Sequence, residues 1–250
     1  MSLNFLHLNP DKTEIILFGP DKCVTAVDQF IGPLRNYIKP TAKNLGIIFD
    51  QHMTFDLHVT KLVQSCFLQL RNVAKIKRFL SSSDLEQLIH SFIFSRLDHC
   101  NSLYTCLSQA VLNRLQLVQN AAARLLTRTS RRSNITPVLA SLHWLPVKFR
   151  INYKIWHFMT LPPVTFQSSL FLIPLLESII FPTPTPRPLR SSNLGLLSVP
   201  RSTCKSKGDR AFAVLAPTLW NSLPHSLRLT EFLDSFKRLL KTHLYREAFL

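Results

Sequence analysis

The chain has 250 residues, 46% of them hydrophobic and 18% charged, enough apolar material for one large domain or two small ones. Its net charge of +16 at pH 7 disfavours cationic partners and favours anionic ones, nucleic acid first and an acidic membrane surface second. Only 5 glycines against 16 prolines leaves little material for phosphate-cradling loops.

Taken in chain order, Asn9, Pro10 and Asp11 predict a turn, and Thr13 to Phe18 a short buried strand. LGIIF at 45–49 is the second strand candidate. Gly19-Pro20, Gly32-Pro33 and Pro40 make the loop between them turn-rich, so the two runs predict a hairpin or an adjacent pair. From Thr54 the period becomes helical: Phe55, Val59, Leu62, Cys66, Leu70 and Val73 recur at three- and four-residue steps. Arg71, Lys75, Lys77 and Arg78 crowd the end of that helix, more cations than complementing a helix dipole needs. Ser83 with Glu86 reads as a capping box for the next helix, whose buried face is Leu85, Leu88, Ile89, Phe92, Ile93 and Leu97. A third helix spans roughly 108–129, with Val111, Leu115, Val118, Ala122 and Leu125 facing inward. Arg124 and Arg128 lie at the edge of that stripe, continued by Arg131 and Arg132 in the exit turn. Three successive helices with short connections predict an antiparallel bundle.

Pro137 suits the first turn of a short helix. Trp144, Leu145 and Pro146 read as a rigid corner before a fourth helix, 147–158. Prolines 162, 163, 174, 182, 184, 186 and 188 then break every period, so 159–192 reads as an irregular linker. Two short helical pieces surround Trp220. An amphipathic helix follows, capped by Thr230, with Phe232, Phe236, Leu239, Leu240 and Leu244 on its apolar face.

The charge distribution says more than the total. No Asp or Glu lies between Asp98 and Glu177, a stretch that also holds Arg114, Lys148, Arg150 and Lys154. A field of one sign over that length favours contact with nucleic-acid phosphates over a bland solvated face. The five cysteines (Cys23, Cys66, Cys100, Cys106 and Cys204) are odd in number and irregularly spaced, with no signal peptide before them. They read as free, buried thiols in a reducing intracellular compartment. His99, Cys100 and Cys106 lack a completing pair for zinc. The apolar run 164–181 is short for a membrane span, and Pro174 and Glu177 interrupt it. No nucleophile elbow, Walker loop or HExxH occurs, and the 9 histidines read as ordinary core or surface residues, so the residues themselves argue for no enzyme.

LNPDKTEIILFG, NLGIIFDQHMTFDLHV, LRNVAKIKRFLSSSDLEQLIHSFIFSRLDHCNSLY, LNRLQLVQNAAARLLTRTSRRSNITPVLASLHWLPVKFRINYKI and APTLWNSLPHSLR follow one another in this order. The series, roughly 4–158 and 187–248, resembles the C-terminal part of the reverse transcriptase of LINE-type, non-LTR retrotransposons. The resemblance implies that Lys12 lies near the incoming nucleotide, that Leu45 and Gly46 belong to a primer-grip-like hairpin, and that the following helices are a thumb holding template–primer duplex. It also implies that the carboxylate-bearing palm motifs would precede residue 1. Nucleotidyl transfer needs two divalent metals held by such carboxylates. The expectation is therefore no polymerase activity from this chain alone, and no cofactor of its own, where intact family enzymes use Mg²⁺.

After INYKIWHF the chain departs from the family pattern. Plausible codons for Phe158 to Ser168, read one base out of step, give a string like LHDLAPSYLS. We read a frameshift near residue 157, with the frame regained before Arg187. The genomic nucleotide sequence tests this: no shifted frame encoding the family segment would refute it.

The expectation is an α+β chain, mostly α. A short N-terminal β-hairpin remnant (1–52, late-palm and primer-grip-like) leads into a thumb-like helical bundle (53–158). A Pro-rich linker (159–192) and a C-terminal helical segment (193–250) follow. The expected function is non-sequence-specific binding of RNA or an RNA–DNA duplex. The binding residues are Lys12, Arg71, Lys75, Lys77, Arg78, Arg124, Arg128, Arg131 and Arg132. The alternatives are a decayed, non-functional reading frame and a helical interaction module that docks a partner on the apolar face of 231–248.

Overall fold

The computed structural model describes residues 9, 12–19, 30–105, 107–159, 196–202, 208–230 and 232–250. The chain is mostly helical, with one two-stranded antiparallel hairpin near the N-terminus, as the sequence predicts. The strands are β1 (Thr41–Asn44) and β2 (Ile47–Asp50), in register Thr41↔Asp50 through Asn44↔Ile47. The pairing differs from the expected one. Leu45 and Gly46 are the turn rather than the start of a strand, and both have positive φ, 46° and 85°, as a right-twisting two-residue hairpin turn requires. The segment 13–18 joins no sheet; Ile15 makes a single parallel bridge with Ile38. Adjacent runs joined by two residues close a far shorter loop than 13–18 could with 47–50, so the local partner wins.

The helices are α1 (Asp56–Ile76), α2 (Ser82–Ile89), α3 (Gln109–Thr127), α4 (Thr136–Ser141), α5 (Val147–Met159), α6 (Phe212–Ser222), α7 (His225–Arg228) and α8 (Leu233–Phe249). In α1 the predicted stripe is buried: Val59, Cys66, Leu70 and Val73 face α3, with His58 beside them. Burial pushes the Cys66 thiol up to about 11, with the Arg96 charge opposing, so it is an inert core group. Cys100 is a partly exposed free thiol, and Cys23, Cys106 and Cys204 lie outside the described residues.

The corner before α1 is strained and braced. Met53 and Phe55 sit at φ 53° and 57°, which costs about 1–2 kcal/mol each for non-glycine residues. Asp50 holds the corner: Oδ1 accepts from the His52 and Thr54 N–H groups at 3.1 and 2.9 Å, and Oδ2 from Phe55 N–H at 2.6 Å. Partial burial works against the charge, but the backbone donors of Thr54, Phe55 and His52 outweigh it and hold the carboxyl below its usual range. Asp50→Ala should therefore lose about 1.5–3 kcal/mol, read as a lower denaturant midpoint at unchanged slope. A loss below about 0.5 kcal/mol would show that Asp50 does not brace the corner.

The capping box of α2 lies two residues upstream of the predicted one. Ser81 Oγ accepts from Asp84 N–H at 3.1 Å, and Asp84 Oδ2 accepts from Ser81 N–H at 3.3 Å. The helix then passes through a π turn, His90–Phe94, before its last turn, Ser95–Leu97. The extra residue rotates the register, so Phe94 is buried while Phe92, expected inside, is 42% exposed. Phe94 packs edge-on against Trp144, ring centroids 4.6 Å apart.

Ser108 caps α3, and Pro137 falls in the first turn of α4, as expected. α8 packs against α4 and α5 and buries Phe236, Leu240 and Leu244, with the Phe236 ring stacked on Trp220 of α6. Phe232 and Leu239, expected on its apolar face, are exposed. Thr230 is not its cap: α8 begins at Leu233 without a side-chain cap, and the Thr230 hydroxyl bonds the Ser226 carbonyl. One apolar cluster runs from Ile47 and Phe55 through Leu115 and Ile155 to Leu240 and Leu244. Residues 160–195 lie outside the described residues, and with them nearly all of the predicted linker, the run 164–181 and most of the proposed frameshift. Among the described residues, no helix is long and apolar enough to cross a membrane.

His58 ties the hairpin to the bundle. Its Nδ1 accepts from Ile48 N–H at 3.4 Å, and its Nε2 lies 2.8 Å from the Tyr104 hydroxyl. An accepting Nδ1 carries no proton, so the ring is neutral and Nε2–H donates. Burial first, and then the charge of His99, lower its pKa; His157 is lowered too, by burial and then by Lys237 and Lys154. The unfolded chain thus binds more protons at mildly acidic pH. Stability should be complete above the usual histidine value of about 6.5 and fall as pH drops below it. Melts between about pH 7.5 and 5 should show this decline, and His58→Gln should flatten it to the share left by His157. An unchanged slope in that variant would refute the assignment.

Candidate nucleic-acid interface

α1 and α3 pack side by side along the core, which brings the end of α1 to the end of α3. Lys77, in the single helical turn after α1, donates from Nζ to the Leu125 carbonyl at 2.8 Å. That carbonyl belongs to the last turn of α3, where C=O groups lack intrahelical partners and the dipole is negative. Burial first, and then the Arg128 charge, hold the Lys77 ammonium below its usual value. Arg128 ends α3 at φ 58°, turning the chain into the loop that carries Arg131 and Arg132. Arg124 shapes that loop: Nε and Nη2 donate to the Ser130 and Ser133 carbonyls at 3.3 and 3.2 Å.

The result is a groove of 930 Å³ whose lining includes Lys77, Arg124, Arg128 and Arg131 over an apolar floor containing Phe67, Leu117 and Leu125. Among the described residues, none of these cations pairs with a carboxylate. Other basic side chains are engaged elsewhere: Arg114 with Asp56 and Thr60, and Arg150 with Asp98.

The structure thus divides the predicted binding residues. Lys77, Arg124, Arg128 and Arg131 share one groove, and Arg132 is exposed beside Arg131 in the same loop. Arg71 and Lys75 in α1 and Arg78 in the turn after it are exposed and are not among the groove's lining residues. Arg78 covers the Phe79 ring, 4.7 Å from its centroid. Lys12 is exposed in an isolated turn, its N–H on the Asn9 carbonyl, and no contact among the described residues ties it to the groove. Leu45 and Gly46 form the hairpin turn, with His99 Nε2 2.9 Å from the Leu45 carbonyl.

Sequence periodicity missed the residues that fix the groove's frame. Gln119 is fully buried and donates to the Leu145 carbonyl at 2.8 Å. Gln116 donates to Gln119 Oε1 at 3.0 Å and accepts from Val147 N–H at 2.9 Å, which satisfies a first-turn donor of α5. A run of Gln and Asn inside a helix carries no signal that separates such a network from a solvated face.

The Mg²⁺ of the resembled family does not fit these residues. Asp50 is occupied by backbone donors and Asp98 by Arg150. Among the described residues, no three His, Cys, Asp or Glu side chains group to hold a metal. Comparisons with protein-family models, curated proteins and solved structures find no match.

Proposed function

We propose that this chain is the thumb-side portion of a LINE-type reverse transcriptase, and that it binds RNA or an RNA–DNA duplex through phosphates without reading sequence. The observation that carries this is the meeting of Lys77 with Arg124, Arg128 and Arg131 around one concave groove, with no carboxylate pairing any of them among the described residues. Like charges held this close repel one another, and an anionic backbone laid in the groove relieves the repulsion. Arginine forks suit phosphate oxygens, and the lysine acts as a point charge beside them. The apolar floor offers a surface to sugar or base faces, which every sequence presents alike.

Arg71, Lys75 and Arg78 are exposed outside the groove's lining, so in this reading they steer rather than hold the duplex. Amide hydrogen exchange of the full chain with and without an RNA–DNA hybrid tests the assignment. Protection should concentrate at the end of α3 and the loop through Arg132. Protection confined to α8, or none at all, would overturn it.

A further inference from the structure

A cavity of 420 Å³ lies where the hairpin, the strained corner before α1, the single turn Asn101–Tyr104, α5 and the start of α6 meet. Its size falls in the range of small-molecule sites, roughly 300–1,000 Å³. Among the described residues it shares no lining with the cationic groove, so it stands apart from the nucleic-acid reading. Its walls are apolar: Phe49, Met53, Phe55, Ile155, Phe212 and Leu215. Phe49 and Phe55 pack edge to face, ring centroids 5.6 Å apart, and Ile155 is 1% exposed, so the core sets the position of these walls. Met53 and Phe55 belong to the positive-φ corner that Asp50 braces. Strained backbone of this kind clusters where ligands are held.

Polar groups in this lining are few: Ser102, Thr105 and Arg210. Thr105 is already engaged, its hydroxyl donating to the Ser102 carbonyl at 2.7 Å. The Ser102 hydroxyl and the Arg210 guanidinium make no hydrogen bond or ion pair among the described residues, and both side chains are partly buried. No Asp or Glu stands in the lining among those residues. A cation drawn partly out of water beside apolar walls, with no anion to meet it, is costly. α6 starts in the same wall, where Ala211 is its N-cap and offers no side-chain acceptor, so the positive end of that helix adds to the charge of Arg210.

We infer that this cavity binds a small monocarboxylate with an apolar body, of the medium-chain fatty-acid class, with the carboxylate on Arg210 and Ser102 and the hydrocarbon against Phe49, Met53 and Phe212. One guanidinium matches one negative charge, and its planar fork suits the two oxygens of a carboxylate. Apolar walls disfavour a small inorganic anion, whose remaining hydration nothing in the cavity replaces. They favour hydrocarbon, whose removal from water drives binding in proportion to the area buried. Met53 is unbranched and adapts to the shape of a flexible chain.

Calorimetric titration of the full chain with octanoate, octanol and acetate tests the site. Octanoate should bind saturably and about tenfold or more tighter than octanol, and acetate should show no saturable binding. Arg210→Ala should weaken octanoate about tenfold or more, leave octanol binding unchanged and leave the melting temperature where it is, since Arg210 bonds nothing among the described residues. Arg210→Lys keeps the charge and should recover part of the lost affinity. Arg128→Gly with Arg131→Ala, in the separate groove, should leave octanoate binding unchanged. The inference is overturned if octanoate binds no tighter than octanol, if Arg210→Ala binds octanoate as the parent chain does, or if the groove variant is the one that loses it.

Discussion

Replacing Arg128 by Gly and Arg131 and Arg132 by Ala should lower affinity for an RNA–DNA hybrid on the order of a hundredfold without lowering the melting temperature. At about 1 kcal/mol net per lost phosphate contact, three contacts amount to roughly two decades. The slope of log K against log salt should fall by about 2–3, since each phosphate contact releases close to one counterion. Stability should hold for a local reason. Arg128 sits at φ 58°, where a side chain is strained and glycine is not, so Arg128→Gly relieves backbone cost at the end of α3. Arg131 and Arg132 are exposed. Arg124 and Lys77 are left in place because both also bond carbonyls that shape the groove. Matching losses from Arg71→Ala, Lys75→Ala and Arg78→Ala would place the duplex outside the groove. The hybrid-binding titration of both triple variants, run beside their melts, decides between the two.

The second large effect is expected at Gln119. Gln119→Ala removes a fully buried side chain, leaves the Leu145 carbonyl without its donor and takes away one of the two acceptors of Gln116 Nε2. The cavity and the unpaired groups together should cost about 2–4 kcal/mol. For a chain of this size that is a fall in melting temperature on the order of 5–15 °C. Gln119→Leu keeps the volume and loses only the hydrogen bonds, so it should lie between the parent and the alanine variant. Equal stability of all three would mean that the Gln116–Gln119 network does not hold α5 to α3.

Gln119 also shows where the sequence stops being legible. Helix faces with repeated aliphatic residues could be read directly: Val59, Cys66, Leu70 and Val73 on α1, and Val111, Leu115, Val118 and Ala122 on α3, are buried as their spacing predicts. The polar positions that lock those helices together could not, because Gln119 and His58 have the same letters as solvated residues elsewhere. Phe92 and Phe94 exchanged places because a π turn adds a residue, and a fixed 3.6-residue period has no term for it. The capping box slipped by two residues within a run of three serines, since each serine offers the same hydroxyl and tertiary packing selects among them. The strand expected at 13–18 lost its partner to the nearer run 41–44.

The groove was half legible in the same sense. Each of its cations was visible as a basic residue near a helix end. Which of them share a surface depends on the pairing of α1 with α3 and on the angle at which each side chain leaves its helix. Lys77 turns toward α3, whereas Arg71, Lys75 and Arg78, close to it in sequence, do not. A six-degree-of-freedom docking of two helices is written in their apolar stripes, and charge count alone does not resolve it.

The measurement that tests the central claim most directly is the affinity of the full chain for a labelled RNA–DNA hybrid between about 50 and about 200 mM salt. The account predicts saturable binding with little dependence on base sequence. It also predicts a steep linear fall of log K with log salt, with a slope of at least about −3 for the cations that meet in the groove. A slope near zero, or no binding at the low-salt end, would contradict it.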